Sequence, residues 1–77
     1  MTAWTDAEWK AEVKRLLRAE MARRGIGYDD LARRLATIGV EETAVNLRNK
    51  VSRGGFSAAF LLQCLEVMGC RVVRIGG

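Results

Sequence analysis

Glycines at 25, 39, 54–55 and 69 cut this chain into four stretches of helix length, and no proline interrupts any of them. Glycine tolerates the left-handed backbone on which helices commonly end, so each is a natural stop. Residues that start helices precede the stretches. The pattern leaves little room for a sheet and predicts a helical domain. At 77 residues there is space for one domain, residues 1–77, with one modest core.

The first start is Trp4-Thr5-Asp6-Ala7-Glu8-Trp9. Thr5 is placed to cap the helix, Glu8 to reciprocate in a capping box, and Trp4 to staple onto Trp9. Trp9, Val13, Leu16, Leu17 and Met21 then fall on one helical face. This predicts a helix over 6–24, with Arg23 and Arg24 suited to its negative end. Asp29 and Asp30 open a second helix, 28–38, whose apolar face is Leu31, Leu35 and Ile38; Ile26 and Leu31 have staple spacing. A third helix, 42–53, repeats Ala44, Leu47 and Val51. A fourth, 57–68, has Ser57 as cap, Phe56 and Leu61 as staple, and Phe60, Leu61, Leu65 and Met68 as its apolar face. The tail, 71–75, is rich in β-branched residues without helical period and reads as a short strand. The expected class is all-α, four helices and one C-terminal strand.

With 49% apolar residues the chain can form a core, and no apolar run approaches the roughly 20 residues of a membrane span. No apolar segment near the N-terminus resembles a secretion signal, so a cytoplasmic, nucleoid-associated place is expected. Cys64 and Cys70 are read as buried free thiols, a disulfide requiring the chain to fold back after Gly69. Without histidine, two cysteines cannot complete a zinc site, and Cys64 lacks a candidate base. No enzyme, metal, cofactor or small-molecule substrate is expected. The formal charge of +4 favours acidic partners, nucleic acid first.

The third helix is the segment where that charge has chemistry. With Ala44, Leu47 and Val51 inward, its other side shows Thr43, Asn46, Asn49, Lys50 and Arg53, with Val45 and Arg48 at the margins. No acid lies between Glu42 and Glu66. Asn pairs bidentately with adenine and Arg or Lys with guanine, while cations near the helix end suit phosphates. The same face also fits a merely solvated surface. On the first helix, Lys10, Lys14 and Arg18 form a basic stripe, either a solvated face or a phosphate contact beside the third helix. Glu8, Glu12 and Glu20 are expected to dilute it.

The order of these segments resembles the lambda-repressor-like helix-turn-helix family. The matching pieces are Leu31-Ala32-Arg33-Arg34-Leu35, then Ser52-Arg53-Gly54, then a last helix from Ser57 to Gly69. Residues Asn46 to Gly54 followed by Phe56 to Phe60 also resemble a family of small bacterial proteins of unknown function. The first resemblance implies a helix-turn-helix fold and Arg53 on a phosphate. The stretch Thr37 to Thr43 is long for that pattern, so either the second helix is extended or the turn is longer.

A lone strand leaves backbone groups unpaired. Arg71, Val72, Val73, Arg74 and Ile75 are therefore expected either to pair with the same strand of a second copy or to cover the end of their own core. The expected function is a dimeric, repressor-like transcriptional regulator on a palindromic site in double-stranded DNA. A helical protein-interaction module, adaptor-like or antitoxin-like, is the alternative.

Overall fold

The computed structural model describes residues 3–76, so Met1, Thr2 and Gly77 of the expected domain lie outside it. Four helices follow one another: α1 (Asp6–Arg24), α2 (Tyr28–Ala36), α3 (Ala44–Arg53) and α4 (Ala58–Met68). α1 and α2 each pack against both α3 and α4. Leu17, Leu31, Leu35, Leu47, Val51 and Cys64 are wholly enclosed between them. The chain is all-α, and no described residue is in a strand. Among those residues no helix is long and apolar enough to cross a membrane.

The helix starts follow from their caps. Thr5 Oγ1 accepts the Glu8 N–H at 3.2 Å, and Glu8 accepts the Thr5 N–H at 2.9 Å, completing the expected capping box. Thr43 and Ser57 cap α3 and α4 by accepting the N–H groups of Asn46 and Phe60. The Trp4 and Trp9 rings meet at 4.5 Å, but Trp9 stays exposed and belongs to the surface staple, outside the core face assigned to it. Phe56 meets Phe60 edge-on at 5.3 Å.

Three helix ends share a device the glycine positions only partly announced. The residue after each stop, Ile26, Val40 and Cys70, donates its N–H to a carbonyl five residues back, on Met21, Leu35 and Leu65 respectively. This is the Schellman pattern, in which the residue beyond the glycine turns inward as an apolar contact. Ile26 and Cys70 are accordingly buried, and Val40 packs on the core.

That device corrects the second helix. α2 closes at Ala36 rather than at 38, because Thr37 Oγ1 donates to the Arg34 carbonyl and the chain tightens through Gly39. Ile38 sits in the resulting turn, exposed and outside the core. α3 likewise starts at Ala44 instead of 42, because Thr43 is its cap and Glu41 and Glu42 precede it. The longer stretch from Thr37 to Thr43 is thus a longer turn, with no extension of α2.

The expected strand at 71–75 is replaced, within the single chain, by an irregular tail laid on α1. Arg15 donates to the Arg74 carbonyl at 3.2 Å, and the Gly76 N–H donates to Glu12 at 2.6 Å. Side chains of α1 thereby satisfy backbone groups that a strand partner would otherwise take. The Arg15 guanidinium, and next the Gly76 N–H, hold the Glu12 carboxyl at about 2, below its ordinary 4.5. A depressed carboxylate contributes stability above its ordinary pKa and loses it as pH falls through the folded value. The tail should therefore stay docked at pH 5 and release between about 4.5 and 2. The Gly76 amide resonance should titrate with Glu12, near pH 2; an amide shift that does not follow the Glu12 carboxyl would show that the contact does not form.

Both cysteines are free and buried. Burial pushes the Cys64 thiol up to about 12; nearby Lys50 opposes this and Glu42 adds to it. Since the thiolate is the reactive form, iodoacetamide at pH 8 should modify Cys64 only as fast as the protein unfolds. Mass spectrometry of timed samples reads this directly.

Candidate nucleic-acid interface

The outer face of α3 is set by what its inner face buries. Leu47 and Val51 are wholly enclosed, and Ala44 is half-buried beside them. At 100° per residue, Asn46, Asn49 and Arg53 then project diametrically away from the core. All three are exposed, and none of their side chains makes a hydrogen bond or ion pair among the described residues. Val45 is exposed next to them at 59%. The result is a row of two amides and a guanidinium with donors and acceptors open to solvent.

The other expected contacts are placed differently. Thr43 spends its hydroxyl on the Asn46 N–H at 3.1 Å, so it shapes the helix start. Arg48, at the margin, lies 5.7 Å over the Tyr28 ring of α2, which steadies its guanidinium while leaving the residue exposed. Lys50 is drawn off the open face. Its Nζ donates to Glu42 at 2.5 Å and stands 4.5 Å over the Phe60 ring. It ties the α2–α3 turn, α3 and α4 together, and its charge is spent on Glu42. The absence of acids downstream of Glu42 concealed this, because the acid that takes Lys50 lies upstream in the turn.

The stripe on α1 reaches the end of α3. Lys14 donates to the Ser52 carbonyl at 3.1 Å, and Arg18 donates to Ser52 Oγ at 3.2 Å. Ser52 was legible only as part of a motif; its contacts join residues more than thirty positions apart. The crossing is close. A Cβ on Gly54 would fall 2.9 Å from the Lys10 carbonyl oxygen, and Gly54 has φ +68°. Arg53 and Lys10 line a surface pocket beside this crossing, with Lys50 and Ser57.

Glu8, Glu12 and Glu20 do not dilute the stripe as expected; the acid that pairs with one of its members is Asp6, 3.3 Å from Lys10. Glu8 closes the capping box, Glu12 faces Arg15 and the tail, and Glu20 pairs with Arg23 and Arg24. Burial alone would raise the pKa of Glu20. Arg24, the Cys70 thiol and the charge of Arg23 outweigh that and keep the group ionised, below its ordinary range.

The fold and this surface define a small all-α domain presenting one amide-rich and cationic helix face. A family profile described as a domain of unknown function (DUF6471) matches residues 9–73. The chain belongs to that family, whose matched region includes the end of the α1 staple, all of α2, α3 and α4, and most of the tail. No curated protein and no solved structure matched it.

Proposed function

We propose that this protein is a sequence-specific DNA-binding regulator of the helix-turn-helix kind, which lays the outer face of α3 in the major groove and represses by occupying an operator. The observation that carries this is the row of Asn46, Asn49 and Arg53, exposed and without side-chain partners, directly behind the enclosed Leu47 and Val51. Solvation alone does not call for two amides in line. Adenine edges do, because an amide both donates and accepts. α2 packs on α3 as the first helix of such a motif does, although the Thr37–Thr43 connection is longer than the usual three or four residues. The resemblance to lambda-repressor-like proteins belongs to this reading, with a docking angle of this protein's own.

A single module of this size offers a small footprint, and a two-fold pair on a palindromic site doubles it. The reading therefore includes a homodimer through Arg71–Ile75, where Val72 and Ile75 are 77% and 68% exposed. Selection of binders from a random duplex library, followed by fluorescence anisotropy, tests the function. Enrichment of a palindrome bound more tightly than random duplex is expected. No binding to any duplex at about 50 mM salt, where electrostatic binding is strong, would overturn it.

One observation favours a second reading, a protein-interaction module. Leu62, Val72 and Val73 are exposed apolar side chains around one groove between α4 and the tail. Purification with a stoichiometric protein partner and an absorbance ratio free of nucleic acid would favour it over DNA.

A further inference from the structure

We infer that Lys14 and Arg18 of α1 are the phosphodiester-binding rail of this protein, fixing one DNA strand along the C-terminal flank of α3. The inference rests on the DNA reading above and adds to it where the backbone lies.

Charge pairing singles these two out. Most cations of the chain sit within 4 Å of a carboxylate: Lys10 with Asp6, Arg15 with Glu12, Arg24 with Glu20, Arg34 with Asp30, Lys50 with Glu42. Among the described residues Lys14, Arg18, Arg48, Arg53 and Arg74 have no such partner; Arg74 lies on the tail, and the other four lie on α3 or touch its last turn. Four of these five unpaired cations thus gather on one flank, although acids and bases are interspersed in the sequence. Lys14 and Arg18 are one helical turn apart, about 6 Å along the axis. Ser52 holds each by a single hydrogen bond, which orients them without satisfying them. An ammonium keeps two further donors and a guanidinium four.

Charge complementarity commits the surface to a polyanion, and its position beside the Asn46–Asn49–Arg53 row commits the polyanion to the strand whose bases α3 reads. Phosphate contacts of this kind position a protein without reading sequence. The rail thereby sets which way α3 points, a role the long α2–α3 turn leaves open.

The test is the salt dependence of binding to a random duplex between about 50 and 200 mM salt, by anisotropy. Each lost phosphate contact lowers the slope of log K against log salt by about 0.9. Lys14→Gln with Arg18→Gln should lower it by about 1.8, that amount for each of two contacts. Arg23→Gln, which removes a charge on the opposite side of α1, should leave it unchanged. Lys14→Arg with Arg18→Lys should keep the wild-type slope, and thermal melting should show every variant folded.

An unchanged slope in the double glutamine variant overturns the rail while leaving α3 as the reading helix. An equal loss in the charge-preserving variant, with a lowered melting temperature, also overturns it, because packing on Ser52 would then be the whole role. Failure of the wild type to bind any duplex removes both proposals. Salt-sensitive binding to phosphatidylglycerol vesicles in place of DNA would assign the cations to a membrane surface and overturn the rail.

Discussion

Gly54→Ala is expected to destabilise the protein by about 2–5 kcal/mol, more than the same change at Gly25. Two costs combine. The left-handed backbone is unfavourable by roughly 1–2 kcal/mol for a residue with a Cβ. Overpacking a close contact adds about 1–3 kcal/mol, and here the Cβ would meet the Lys10 carbonyl oxygen at 2.9 Å. That oxygen is main chain within α1, so it cannot swing away as a side chain would. The sum is a large part of the roughly 4–12 kcal/mol expected for a domain of this length. A fall in melting temperature of roughly 10–40 °C should follow. Gly25→Ala is the internal control. Its φ is +65°, but nothing lies within 4 Å of the added carbon, so only the backbone cost of roughly 1–2 kcal/mol applies. Circular dichroism melts of both variants decide the matter. Equal losses would show that α1 and the end of α3 do not approach as closely as described.

Asn46→Ala with Asn49→Ala should erase most of the preference for the selected duplex. A bidentate amide–adenine pair is worth about 1–3 kcal/mol of discrimination. Two such pairs correspond to a specificity ratio that falls by roughly 30-fold or more. Affinity for random duplex should hardly change, because these side chains carry no charge, and the salt slope should stay at its wild-type value. Neither side chain supports the fold: both are exposed and unbonded, so the melting temperature should shift little. Anisotropy with the selected and a scrambled duplex gives the ratio. If both affinities fall together, α3 meets the backbone and some other element reads the bases.

These two predictions draw on different layers of the molecule, and the layers were unequally legible. The glycine stops, the Thr5–Glu8 box, the Thr and Ser caps and the inward face of Leu47 and Val51 are interactions between residues a few positions apart. Such contacts are written in spacing alone, which is why four helices and the outward row of Asn46, Asn49 and Arg53 are legible in the sequence. Helix ends were less so. Ile38 looked periodic, but Thr37 and Gly39 turn the chain before it reaches the core. Trp9 had the right period and the wrong depth, because α1 runs past the core at its N-terminal end.

By itself, then, the chain order determined where the four helices begin, to within two residues, and which side of α3 is turned outward, because those choices are made by neighbours within one or two turns. Only the tertiary structure decided which charges remain free. Lys50 is taken by Glu42 and Phe60, Glu12 by Arg15 and the tail, and Ser52 by Lys14 and Arg18. A long flexible side chain takes its partner from whatever folding brings within reach. Those partners lie 34, 38 or 64 residues away as readily as three, and no periodicity along the chain encodes them.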